Sequence, residues 1–204
     1  MRMARKSSNA LRRDIHAVAT SQGGYFTTNQ AAQIGYDRRR LVYHVKARNF
    51  ERAGHGLYRI STLPPSENDD LVRLSLWSRG RNDRPQAVVS HETALGLHGL
   101  SELIPSKTHL SVPKSFRKRP PKGCVLHKST LTKNDWNEHE GFKVTTPLRT
   151  LLDVAASDTV PQEQLDKAVS EALERGLIRK AKVLDSMRGH PAEMRLSRSL
   201  RKKR

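Results

Sequence analysis

The chain has 204 residues, with 38 Lys and Arg against 20 Asp and Glu, and a formal net charge of +18. That length suits two small domains, and a field of that sign favours a polyanionic partner. No stretch reaches the roughly 20 apolar residues that cross a bilayer, the N-terminus lacks the apolar core of a secretory signal, and the single Cys124 excludes an internal disulfide or a CxxC zinc site, so a cytoplasmic, nucleoid-associated protein without metal or cofactor is expected.

Residues 1–10 are basic and rich in Ser and Asn, and read as a flexible arm. Leu11, Ile15, Val18 and Ala19 recur at helical spacing and predict a helix over 11–21, stopped by Gly23 and Gly24. Thr27 or Thr28 caps a second helix with a small buried face of Ala31, Ala32 and Ile34, and Gly35 ends it. Asp37 caps a third, from Arg38 to about residue 48, placing Leu41, Val42 and Val45 inward and Arg39, Arg40, Tyr43, His44 and Ala47 outward. Two strands around Gly54-His55-Gly56 then make a hairpin, with Tyr58 packing inward. This order of parts over 11–61 is that of a winged helix-turn-helix, whose partner is double-stranded DNA.

The candidate DNA ligands follow from the placement. Arg39 and Arg40 suit guanine edges, because a guanidinium bonds O6 and N7 together, whereas Arg38 suits a phosphate. Tyr43, His44 and Lys46 continue the same helix; Arg52, His55 and Arg59 decorate the wing. Thr28 and Gln30 are positioning contacts near a helix N-terminus that can face a phosphate.

Consecutive prolines make residues 62–67 a linker. A second, small mixed α+β domain then spans 68–190, making the whole chain α+β. Its expected elements are a helix over 69–79, a strand at 87–89, a helix over 91–98 capped by Ser90, strands at 109–112 and 124–128, a strand near 142–144, and helices over 147–156, 162–175 and 180–187. The loop 114–122 carries five basic residues, among them Arg117, Lys118 and Arg119, and reads as a second phosphate-binding surface. The chain ends in a basic tail, 191–204, whose last ten residues, 195–204, hold six basic ones and read as disordered.

No catalytic or metal site emerges. His91 and His98 stand a heptad apart, not at the i, i+4 spacing of a helical zinc pair. Arg149 and Asp153, at i, i+4, read as a charge pair on a docked helix. The alternative, a DNA-targeted nuclease or other DNA-modifying enzyme, calls for a carboxylate followed by Glu-x-Lys, and no Glu-x-Lys occurs in the chain. Cys124 reads as an inert filler of a short strand.

The winged unit, followed by Val89-Ser90-His91-Glu92-Thr93-Ala94-Leu95-Gly96-Leu97-His98-Gly99-Leu100, His109-Leu110-Ser111-Val112-Pro113 and Val144-Thr145-Thr146-Pro147-Leu148-Arg149-Thr150-Leu151-Leu152-Asp153-Val154-Ala155, resembles the AbiEi antitoxins of type IV toxin-antitoxin systems over residues 11–190. The resemblance implies an autoregulating transcriptional repressor that binds operator DNA with inverted repeats. It also implies a phage-defence antitoxin whose C-terminal domain counters a nucleotidyltransferase-fold toxin without a stable direct complex.

Overall fold

A computed structural model describes residues 7–102 and 104–201. Most of the expected arm and the last three tail residues lie outside the described residues. The chain divides into two compact units, Met1–Pro85 with His139–Phe142 and Gln86–Glu138 with Lys143–Arg204.

The first unit begins with α1 (Ser8–Thr20), three residues earlier than its apolar period suggests, because the Ser7 side chain accepts from the Ala10 N–H and caps it. β1 (Tyr25–Thr27), α2 (Thr28–Ile34), α3 (Arg38–Lys46), β2 (Phe50–Gly54) and β3 (Leu57–Ile60) follow, and the strands form a sheet in the order β1-β3-β2. Thr27 and Gln30 close α2 with a reciprocal capping box: Thr27 Oγ1 accepts from the Gln30 N–H at 3.2 Å, and Gln30 Oε1 from the Thr27 N–H at 2.8 Å. Gly35 ends α2 at φ +118°, a conformation that L side chains rarely adopt, and its missing Cβ leaves room for Leu11.

Leu11, Ile15, Ala19, Phe26, Ala31, Tyr36, Leu41, Phe50 and Ile60 form the core of this unit. Phe26 is its hub, edge-on to Phe50 at 4.9 Å between ring centroids and stacked on Tyr58 at 5.7 Å, geometries that aromatic quadrupoles favour.

The helix α4 (Asp69–Trp77) belongs to this unit, so the division falls near Pro85 and not at residue 68. The Tyr25 hydroxyl donates to Asp69, Val72 packs where a side chain on Gly23 would stand, and Arg79 donates to Gln22 at 2.6 Å. Pro64 and Pro65 therefore break the chain within a unit.

The second unit holds a five-stranded sheet in the order β6-β5-β4-β8-β7, built from β4 (Val88–Val89), β5 (Thr108–Val112), β6 (Cys124–Lys128), β7 (Trp136–His139) and β8 (Phe142–Thr145). β4 runs parallel to β8 and antiparallel to β5; β5 runs parallel to β6. Five helices pack with it among the described residues: α5 (His91–Leu97), α6 (Pro147–Ser157), α7 (Gln162–Glu174), α8 (Lys180–Met187) and α9 (Glu193–Arg201). The expected disordered tail is largely α9. Leu196 and Leu200 enter the core, and Ser199 bonds Asp166 at 2.8 Å, so apolar burial outweighs the charge of the segment. No helix among the described residues is long and apolar enough to cross a membrane.

Candidate nucleic-acid interface

Asp37 caps α3 by accepting from the Arg40 N–H at 2.8 Å, which fixes where Arg38, Arg39 and Arg40 leave the backbone. Three arginines at a helix N-terminus oppose the macrodipole, each by about 0.3–1 kcal/mol, and the carboxylate of the Asp37 cap offsets them only in part, since the first turn holds no acidic residue. The net excess of cations at this end of the helix is a local rule broken inside the fold, and it suits an anionic ligand.

The exposed face of α3 is rotated relative to the sequence expectation. Leu41 is buried and Val45 half-buried, whereas Val42 is 47% and Tyr43 65% exposed. Arg39, Val42, Tyr43 and Lys46, at i, i+3, i+4 and i+7, form one outward stripe, with Arg38 exposed beside it. Val42 therefore moves from the expected core to the surface. Sequence reasoning missed it, because the packing of His44 against Tyr36 and Phe50 sets the rotation of the helix.

His44 moves the other way. Its ring stacks on Phe50 at 4.8 Å and meets Tyr36 edge-on, and its Nδ1 pairs with Asn49 Nδ2 at 3.2 Å. Burial, and then the charges of Arg12 and Arg40, push its pKa down. Arg40 is half-buried and, with Ser8, Leu11, Arg12, Tyr36, Tyr43 and His44, lines a cleft of about 260 Å³ between α1 and α3. Arg12 thus adds a cation near the α3 N-terminus, which only the tertiary packing of α1 brings there.

Arg52 and His55 are exposed on the wing, next to a register shift between Arg52 and Gly54. Arg59, expected on the outside of the wing, is engaged within the fold. Its guanidinium lies over the Tyr25 ring at 5.9 Å and donates to the Leu63 carbonyl, because its place in the central strand turns it toward the chain that leaves the sheet. Gln30 is likewise committed elsewhere, to the capping box and to a reciprocal amide pair with Gln22 at 3.0 and 3.2 Å. Thr28 donates from both N–H and hydroxyl to the Gly56 carbonyl, tying α2 to the wing turn.

In the second unit, Arg117, Lys118 and Arg119 are exposed on a loop anchored by the buried Phe116, whose carbonyl accepts from Lys128. The suspected chemistry resolves into structure. Arg149 Nε donates to Asp153 at 2.9 Å and Arg149 Nη2 to Ser129 at 3.0 Å. Asp153 Oδ2 is buried without a hydrogen-bond partner among the described residues, and burial raises this carboxyl to about 6 against the pull of Arg149. His98 Nε2 pairs with the Thr145 carbonyl at 2.7 Å. Ser90 makes no cap bond to α5; its Oγ instead pairs with His91 Nδ1 and accepts from Ser111, both at 2.9 Å. His91 stacks on His127 at 3.5 Å between centroids, and His127 Nε2 meets His109 Nδ1 at 3.1 Å. No group of three metal-ligating side chains is arranged to hold an ion among the described residues. Cys124 is half-buried at the start of β6, and burial pushes its thiol pKa up, away from the reactive thiolate.

Two family models match the chain. One, for the AbiEi antitoxin transcriptional regulators, covers residues 13–61; the other, for the AbiEi antitoxin C-terminal domain, covers residues 87–201. No curated protein matches significantly. Among solved structures, the RV2827C protein from Mycobacterium tuberculosis is similar in fold, with a TM-score of 0.58 at 14% identity over 97% of this chain and 78% of that one.

Proposed function

The chain belongs to the AbiEi antitoxins, a family of transcriptional regulators, and from that premise we propose that it represses its own operon by reading inverted repeats in operator DNA with α3 and the wing. The observation that carries this reading is the outward stripe of Arg39, Val42, Tyr43 and Lys46, beside Arg38 at the cation-rich N-terminal end of α3. Arg39 takes a guanine edge, Arg38 and Lys46 take phosphates, and Tyr43 reaches a base or a phosphate further along the groove. Arg40 and Arg12 flank the cleft as backbone ligands. Arg52 and His55 follow the adjoining backbone, Thr28 holds the wing in place for them, and Arg117, Lys118 and Arg119 form a second phosphate-binding surface.

In this reading the second unit counters a nucleotidyltransferase-fold toxin without a stable complex, as the family resemblance implies. DNase footprinting of the full chain on the region upstream of its own gene tests the repressor half: an inverted repeat is protected, and an unprotected region contradicts the reading. For the antitoxin half, a chain with Arg38, Arg39 and Arg40 all changed to Ala loses the footprint yet still relieves growth arrest by the toxin. Loss of both activities in a folded protein contradicts that division.

A further inference from the structure

Val42 is an aliphatic side chain held in the open on a face that is otherwise cationic. Arg39 stands one turn before it and Lys46 one turn after it, Tyr43 adjoins it, and about half of its surface is open to solvent. A β-branched residue on a helix has one strongly preferred χ1 rotamer, so its two methyl groups are presented in a fixed direction with little ordering left to do on contact. The surrounding cations define the chemistry of the occupant, since a surface that draws a polyanion brings the floor of its groove against this residue. On the major-groove floor of duplex DNA the one apolar group that projects is the C5-methyl of thymine; cytosine offers only a C5–H in its place, and the remaining features are hydrogen-bond donors or acceptors that Val42 has no means to satisfy.

We propose that Val42 is a specificity-determining residue that packs against a thymine C5-methyl, so that an A·T pair at one operator position is read by apolar contact next to the guanine read by Arg39. This rests on the reading of α3 as the DNA-reading helix. The inference is separable from it, because phosphate and guanine contacts do not depend on a methyl group.

The test uses the full chain and duplexes that it enriches from a randomised pool. In the enriched duplex each thymine is replaced singly by deoxyuridine, which removes only the methyl, and both the wild-type chain and Val42→Ala are titrated. One substitution weakens wild-type binding about fourfold, the effect of withdrawing one buried methyl-sized group, and leaves Val42→Ala unchanged, while Val42→Ala loses a similar factor on the unmodified duplex. Deoxyuridine effects that are the same in both proteins, or absent at every position, overturn the assignment even where sequence preference persists. Enrichment of no sequence overturns the DNA-reading function and the inference with it.

Discussion

The Gly56 carbonyl accepts two bonds from Thr28, from its N–H at 2.9 Å and its hydroxyl at 3.2 Å, so the turn of the wing is fastened to the first residue of the helix-turn-helix. Gly56 sits at φ +66°, and a Cβ there would come to 3.4 Å from the Thr28 oxygen. Thr28→Val keeps the shape and the N–H bond but removes the hydroxyl donor. At this exposed site the loss of stability is about 0.5 kcal/mol, whereas DNA affinity falls more as the wing loosens. Paired urea denaturation and anisotropy titrations measure the two; equal losses contradict a positioning role.

The two wing arginines separate by role. Arg52 is exposed, while Arg59 holds the Leu63 carbonyl and covers Tyr25. Arg52→Ala leaves the thermal midpoint in place and flattens the dependence of log K on log salt by about 0.9, one phosphate contact. Arg59→Ala lowers the midpoint and leaves the salt slope unchanged. A reversal of these outcomes would show that the guanidinium of Arg59 swings out to the DNA.

The C-terminal helix is part of the core despite its charge. Leu196 is fully buried, whereas Met194, two residues earlier, is 83% exposed. Leu196→Ala costs about 2–5 kcal/mol of stability and Met194→Ala almost nothing. Similar small effects at both positions, read by chemical denaturation, contradict the docking of α9.

Stability should fall in mild acid. Burial, then the charges of His127, His109 and Arg149, push the His91 pKa down to about 3, against an ordinary value of about 6.5 in the unfolded chain. Its contribution is complete above about pH 6.5 and is lost as pH falls toward 3, because only the unfolded chain takes up the proton. His109 and His127 are shifted the same way. Asp153 acts in the opposite sense: its carboxyl is raised to about 6, so its contribution is complete below about pH 4 and lost as pH rises to 6. Urea midpoints measured from pH 7.5 to 4.5 decline toward acid, and Asp153→Asn steepens the decline between pH 6 and 4. A midpoint that does not change with pH contradicts the buried histidine cluster.

What the sequence discloses here is what local chemistry decides. Thr27 with Gln30, Asp37 before three arginines, and Gly35 at a helix end are short-range signals, and the helices stand where those caps put them. Strand β1 is three residues long and exists through pairing with β3, Tyr25 opposite Arg59, more than thirty residues away; no periodicity marks it. Arg59 reads as a wing cation for the same reason, since its neighbours come from Tyr25 and Leu63. Val42 and His44 exchange faces because the aromatic cluster of Tyr36 and Phe50 attracts the imidazole, a tertiary effect that a helical wheel cannot register. In the last helix, six basic residues among residues 195–204 conceal the i, i+4 pair of Leu196 and Leu200.

Anisotropy titration of the full chain and of Arg39→Ala, at one salt concentration, onto the duplex upstream of its own gene and onto a shuffled duplex of the same composition bears most directly on the DNA-reading role of α3. The wild-type chain prefers the upstream duplex by at least about 10³-fold. Arg39→Ala loses about 1–3 kcal/mol on that duplex and little on the shuffled one, because a bidentate base contact carries discrimination and a phosphate contact does not. Equal affinity of the wild-type chain for both duplexes, or an equal loss on both in the variant, would contradict it.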